Sequence, residues 1–294
     1  MEKIGFIGLG IMGKPMAGHL LKAGCELMVY DVVKAPCDEL VAAGAKFAEP
    51  AQMGGECGVI FLSLPRGSIS KDVLFGDKGV VTTAKPGLLV VDTSSVSPDE
   101  SVFCAEGLEK HGIGFLDCPV SGGEPGAINA TLAFMAGGKE DDFQKALPYF
   151  NMMGNSAELI GGPGCGSITK LANQIIVNMG IAAVAEAMVL AAKAGANPEK
   201  VYKAIRGGLA GSNVLDAKAP MMYNRDFKPG GKISINHKDI YNVISAAHAY
   251  DVPVPLSSQL FEIFQSLKVS GNMDDDHSAL VKYFERLAGV EVKK

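Results

Sequence analysis

Residues 3–31 read KIGFIGLGIMGKPMAGHLLKAGCELMVYD, and this stretch decides the fold. Lys3 to Ile7 is a short apolar strand that runs into Gly8-Leu9-Gly10-Ile11-Met12-Gly13, and Lys14 to Ala23 continues as a helix. Gly24 stops that helix, and Glu26 to Tyr30 makes a second strand ending in Asp31, 18 residues past Gly13. The three glycines of G-x-G-x-x-G serve, in turn, a tight turn, close approach of backbone to a pyrophosphate, and tight packing of helix on strand. The helix N-terminus adds N–H groups and the positive end of its dipole. A merely tight βα turn would leave the acid unexplained, so the unit predicts a dinucleotide held by Gly8 to Gly13, with Asp31 on a ribose. A carboxylate there accepts from a 2′-hydroxyl and repels a 2′-phosphate. Val32 and Val33 bring no arginine and Lys34 is the sole nearby cation, so NAD(H) is expected over NADP(H).

The α/β pattern continues outward from this unit. Val59 to Leu64 (VIFLSL) and Leu88 to Asp92 (LLVVD) are unbroken apolar runs, as strands covered on both faces are. Leu64-Pro65 and the following Arg66-Gly67-Ser68 fall at the C-terminal end of a strand, where open parallel sheets bind ligands. Thr93 to Ser97 precede a helix near Pro98; these hydroxyls, Ser95 among them, cap that helix, contact nicotinamide and substrate, or do both. Gly114 to Asp117 is a further strand, followed by Cys118-Pro119-Val120-Ser121-Gly122-Gly123. Ser121, Gly122 and Gly123 bring several backbone N–H groups within reach of an anion without obstructing side chains, although a plain Gly-Gly loop has the same composition. Leu132 to Ala136 and Leu159-Ile160 complete the strand signals.

Gly161 to Gly195 (GGPGCGSITKLANQIIVNMGIAAVAEAMVLAAKAG) is different in kind. A glycine-rich turn feeds a helix expected over about 167–194, roughly 42 Å long at the usual rise. It is apolar on nearly every side, which predicts burial all round. Lys170, Asn173, Gln174, Asn178, Glu186 and Lys193 interrupt the run too often for a membrane span. Lys170, Asn173 and Gln174 share one face one turn into the helix, and a lysine on a buried face needs a partner or a function. Beyond it only helices are predicted, over 198–207, from Asn213, and over 233–250, 255–267 and 279–287. Asp274-Asp275-Asp276-His277 lacks the alternating ligands of a calcium loop and reads as an acidic helix cap, so no metal site is expected. The chain is thus expected to be α/β, with a Rossmann-type doubly wound sheet domain over 1–162. An all-α domain over 163–294 follows, joined by the long interdomain helix.

Composition narrows the function classes. With 48% hydrophobic and 20% charged residues the chain is an ordinary soluble globular protein. A net charge of −5 without a basic stripe argues against nucleic acid or an anionic membrane as partner. The six cysteines show no C-x-x-C spacing and read as free thiols of a reducing compartment. A strand pattern beginning within three residues of the start leaves no room for a signal peptide, so a cytoplasmic location is expected. A helix this apolar also predicts self-association.

Four segments carry a family resemblance: GFIGLGIMGKPMAGHLLKAG (5–24), DCPVSGGEPGAINATL (117–132), GGPGCGSITKLANQ (161–174) and HKD (237–239). Together, in this order, they resemble the β-hydroxyacid dehydrogenases, the group of 3-hydroxyisobutyrate dehydrogenase and tartronate semialdehyde reductase. Residues 204–220, 224–230 and 274–280 look most like the tartronate semialdehyde reductase branch, which implies reduction of 2-hydroxy-3-oxopropanoate to D-glycerate. The resemblance implies that Lys170 is the catalytic lysine and that Ser121, Gly122 and Gly123 hold the substrate carboxylate. Ser95 falls on a position contacting cofactor or substrate, and Lys238 and Asp239 on a pair closing over the nicotinamide side. A homodimer or homotetramer is implied as well. Two departures stand out. Many members carry Asn four residues after the lysine, whereas here Gln174 is there and Asn173 precedes it, so either amide is a candidate to orient the substrate. The usual glycine before Thr131 is Ala130.

The chemistry fits these residues on its own terms. A buried ammonium, its pKa drawn down from the ordinary lysine range, donates a proton to the oxygen on which hydride addition builds charge. Other short 3-hydroxyacids or semialdehydes, 3-hydroxyisobutyrate or succinic semialdehyde among them, are the alternative substrates; a non-catalytic dinucleotide-binding scaffold is the alternative class. Gly207, Gly208, Ser212 and Asn213 suit a compact, hydroxylated substrate.

Overall fold

The computed structural model describes residues 2–294, which form two compact units dividing between Lys170 and Leu171. In the first unit, strands β1 (Ile4–Ile7), β2 (Leu27–Tyr30), β3 (Lys46–Phe47), β4 (Val59–Leu62), β5 (Leu89–Asp92) and β6 (Gly114–Asp117) run parallel. Their order, β3-β2-β1-β4-β5-β6, is that of two dinucleotide-fold halves meeting at β1 and β4. Helices α1 (Gly13–Lys22), α2 (Lys34–Ala42), α3 (Pro50–Glu56), α4 (Gly67–Phe75) and α5 (Pro98–Glu109) connect them. Beyond β6 come β7 (Val120–Ser121), α6 (Gly123–Ile128), β8 (Leu132–Gly138), α7 (Glu140–Met153) and β9 (Gly154–Gly161). Strand β8 is antiparallel to β6 and β7 and parallel to β9.

The apolar runs follow from burial on both faces of this sheet. Along β4, Val59 and Phe61 enter one core while Ile60 and Leu62 enter the other, because successive side chains alternate. Phe6, Phe61, Phe134 and Phe150 fill the first core, with the Phe134 and Phe150 rings stacked 4.7 Å apart. Strand β9 is longer than the predicted Leu159-Ile160 because it alternates between half-buried and exposed residues and so lacks an apolar run. All six cysteines are free thiols; burial pushes those of Cys57 and Cys104 up to about 12.

The long helix α8 (Cys165–Lys193) begins in the first unit and continues into the second. The boundary between the two compact units lies inside it, between Lys170 and Leu171. The reason is local: backbone N–H groups at the start of α8 are bonded to Asp117, the last residue of β6. The second unit is helical, with α9 (Pro198–Ile205), α10 (Asn213–Asn224), α11 (Ile233–Ala249), α12 (Pro255–Val269) and α13 (Val281–Ala288). Its core joins Ile181, Ala185 and Met188 of α8 to Leu215, Met222, Ile240, Phe264 and Leu280.

Burial of α8 on every side is not what the structure shows. Ile176 is 73% and Leu190 71% exposed, so one face of the helix is covered and another is not. Among the described residues α8 alone is long and apolar enough, by length and composition, to cross a membrane. The acidic-cap expectation agrees with the structure: the Asp276 carboxylate accepts from Ser278 N at the turn that leads into α13.

Candidate active site

In the first unit the three glycines of the opening turn are distinguished by their surroundings. Gly8 has φ +94°, a conformation that glycine adopts without strain. A methyl at Gly13 would lie 1.9 Å from the Gly8 carbonyl oxygen, so helix and strand could not approach as they do. A methyl at Gly10 would meet nothing within 4 Å: the backbone there is open to an incoming group. The Asp31 carboxylate ends β2 and accepts from Leu9 N at 2.6 Å and Val33 N at 2.7 Å, fixing it against the glycine turn. Ile11 and Val32 are exposed beside it. These features fit a dinucleotide with its phosphates on the turn and a ribose at Asp31.

At the ends of β4 and β5, Leu64 N donates to Ser94 Oγ at 2.8 Å, and Ser94 N donates to the Asp92 carboxylate at 2.9 Å. Asp92 is buried, and burial raises its pKa. Ser97 supplies the expected cap, its Oγ accepting from Glu100 N while its own N–H bonds the Glu100 carboxylate. Ser95, between them, is half-buried, and Pro65 follows the tied Leu64.

Ser121 ends β7, and Gly122 and Gly123 take φ values of +136° and +61°. Any side chain would be strained at both, and the exposed turn leads directly into α6. The far end of α6 is held by α1: His19 Nε2 donates to the carbonyls of Ala127 and Ile128 at 2.9 and 3.0 Å. Lys170 is brought to the same turn, its Nζ donating to Val120 O at 2.8 Å, one residue before Ser121. The structure therefore gathers Ser121, Gly122, Gly123 and Lys170 in one place.

The group that places Lys170 there is Asp117, which sequence reading passed over as the end of a strand. Its carboxylate receives Gly164 N at 2.8 Å and Ser167 N at 2.7 Å, serving N–H groups at the start of α8 that have no partner within the helix. Ser101 and Ser167 hydroxyls bond each other at 2.9 Å alongside. Gly166 is obligatory, since a methyl there would lie 2.2 Å from Asp117 O and 2.4 Å from Met135 O. Burial raises the Asp117 pKa to about 6 against the downward pull of these backbone donors.

In the second unit Asn173, Gln174, Lys238 and Asp239 form one polar chain. Asn173 Nδ2 donates to Gln174 Oε1 at 2.9 Å, and Gln174 Nε2 donates to Asp239 Oδ2 at 2.6 Å. Lys238 Nζ stands 3.5 Å from Asp239 Oδ1. Gln174 and Asp239 are buried, while Asn173 and Lys238 are half-buried. Gly207 and Gly208 lie on an exposed turn, and Ser212 caps α10 by accepting from Leu215 N at 3.1 Å.

Comparison with known proteins bears on the family of the chain. Residues 3–162 match the family model described as the NAD binding domain of 6-phosphogluconate dehydrogenase. Residues 164–284 match that of the NAD-binding region of NADP-dependent 3-hydroxyisobutyrate dehydrogenase. The chain is 41% identical to 2-hydroxy-3-oxopropionate reductase of Escherichia coli, over 97% of its own length and 98% of that protein's. It is 36% identical to 2-(hydroxymethyl)glutarate dehydrogenase of Eubacterium barkeri, over 99% and 97% of the two lengths. The solved structure of 3-hydroxyisobutyrate dehydrogenase from Mycobacterium tuberculosis superposes with a TM-score of 0.88 at 30% identity, covering 96% of this chain and 98% of that one.

Proposed function

Because the chain belongs to the β-hydroxyacid dehydrogenase family and is an NAD(P)-dependent oxidoreductase acting on hydroxyacids, we propose that it reduces 2-hydroxy-3-oxopropanoate to D-glycerate with NADH. The observation that carries this reading is the placement of Lys170 Nζ at Val120 O, beside the Ser121-Gly122-Gly123 turn. In it the substrate carboxylate lies on backbone N–H groups of that turn, and Lys170 reaches the aldehyde oxygen on the third carbon, two C–C bonds from the carboxylate carbon. Bound NADH supplies the hydride to the aldehyde carbon. Lys170 donates its proton to the oxygen as the charge develops there, giving the alcohol, and takes it back as base in the reverse direction. Asn173, half-buried on α8 three residues after Lys170, orients the substrate.

Preference for NADH rests on Asp31, whose carboxylate is fixed at the end of β2 with no arginine following it. A cytoplasmic location accords with the free thiols. Self-association is supported by the uncovered apolar face of α8.

Oxidation of NADH and of NADPH, followed over a panel of C3–C5 semialdehydes, tests the reading. The highest kcat/KM is expected for 2-hydroxy-3-oxopropanoate with NADH. A higher value with succinic semialdehyde or the semialdehyde of 3-hydroxyisobutyrate would overturn the substrate and leave the reaction class. Lys170→Ala is expected to lower kcat by about 10²–10⁴-fold, the usual weight of general acid catalysis. NADH binding is expected to persist in that variant, and near-parent turnover would remove Lys170 from the mechanism.

A further inference from the structure

We infer that Asp239 is a positioning residue for the substrate-orienting amide, acting through Gln174, and is not a contact for the dinucleotide. The inference rests on the reading that Asn173 touches substrate.

An ionised carboxylate only accepts hydrogen bonds, whereas an amide side chain has one donating and one accepting end. Asp239 Oδ2 lies 2.6 Å from Gln174, so the nitrogen end of that amide must face it. The oxygen end is then turned away, and it receives Asn173 Nδ2 at 2.9 Å. The same constraint passes on: Asn173 has its nitrogen towards Gln174, and its Oδ1 is necessarily the atom on the other side. One acceptor-only group thus sets the orientation of two amides in series. Gln174 and Asp239 are 7% and 4% exposed, so bulk water does not replace a broken link. Asn178 Nδ2, one turn further along α8, donates to Gln174 O at 2.9 Å and holds the backbone from which both amides project. Lys238, with Nζ 3.5 Å from the other Asp239 oxygen, sets a cation beside the carboxylate that the chain of bonds requires.

Reversing the middle link tests this. In Asp239→Asn the residue at 239 offers both a donor and an acceptor, so Gln174 and Asn173 lose their imposed orientation. In Gln174→Glu two carboxylates face each other in a buried place. In the double variant, an amide nitrogen at 239 donates to a carboxylate at 174, whose second oxygen still accepts Asn173 Nδ2. Donor and acceptor are exchanged at one link, the net charge is kept, and Asn173 is held as before.

Each single variant is expected to lose kcat on the order of 10²-fold, as misplaced positioning groups do. NADH affinity, read by fluorescence titration, is expected to stay at the parent value. The double variant is expected to recover to within about tenfold of the parent, the remainder reflecting imperfect geometry. Weakened NADH binding in Asp239→Asn, or a double variant no better than the worse single one, overturns the inference. If a single variant does not fold, the double variant alone carries the test. Asn173→Ala separates the two readings. Parent-like kcat in it removes Asn173 from the site, whereas an impaired Asn173→Ala with an unrescued double variant removes only the relay.

Discussion

Ala130 is one of three non-glycine residues with a positive φ among the described residues, and its backbone shows what a side chain costs there. Its φ is +53°, in the left-handed region. Thr131 N donates to Gly126 O at 2.9 Å, the six-to-one bond of a helix closed by a left-handed residue. Alanine at that point carries roughly 1–2 kcal/mol of strain that glycine avoids. Glycine in turn loses roughly 0.4–1 kcal/mol more through the entropy of the unfolded chain. Ala130→Gly is therefore expected to stabilise the protein by about 0.5–1 kcal/mol, the difference of those two effects. Urea unfolding midpoints would show it, and a midpoint below the parent's would mean that the alanine methyl packs in a way that offsets its strain. Because α6 carries the Gly122-Gly123 turn at its other end and His19 already holds its carbonyls, KM is expected to change little.

Among the elements, the short turn His277–Leu280 ahead of α13 holds the clearest pH-sensitive group. Burial lowers the His277 pKa to about 4, Lys218 pushes the same way, and Asp276 opposes them. The unfolded chain takes up a proton near the ordinary histidine value, while the folded chain resists until about pH 4. This contribution to stability is complete above about pH 6.5 and is lost as pH falls towards 4, on the order of 3 kcal/mol in all. Asp117 runs the other way. Its raised pKa means that stability is present below the unfolded carboxylate value and lost as pH rises through about 6. Comparing parent with His277→Asn cancels the Asp117 contribution, and the urea midpoint of the variant is expected to fall less between pH 7 and pH 4.5. Equal falls would show that His277 protonates freely in the folded chain. The elements also show what could be read in advance. The glycine turn, Asp31, the buried strands and the lysine-amide face of α8 are local patterns, visible because neighbours in sequence make them. The bonds Asp117–Ser167, Gln174–Asp239 and His19–Ile128 join residues 50, 65 and 109 positions apart. Asp117 looked like the end of a strand and His19 like an ordinary helix residue, because their partners are set by the folded sheet and helix packing. Strand β9 escaped for the opposite reason, its alternating half-buried pattern being too weak to stand out.

At the scale of the whole molecule, the open matter is the apolar face of α8. Ala172, Ile176, Ala183, Ala187 and Leu190 are all exposed and recur at helical spacing, forming one stripe. Neighbouring helices cover Ile181, Ala185, Met188 and Val189 and leave this stripe out. Lipid is a poor cover for it: Glu186 is exposed beside the stripe, and a carboxylate in hydrocarbon costs roughly 2.5–3.5 kcal/mol or more. A second copy suits both parts, with the small alanines admitting close approach and the glutamate left at a wet rim. The pair Ile176→Glu and Leu190→Glu would place charges into such an interface while leaving the cores of both units untouched. Light scattering is expected to give the parent a mass at least twice 30.7 kDa and the double variant a mass near 30.7 kDa with unchanged helical content. A parent already at 30.7 kDa over micromolar concentrations would show that the stripe is tolerated by a monomer, and self-association would be set aside.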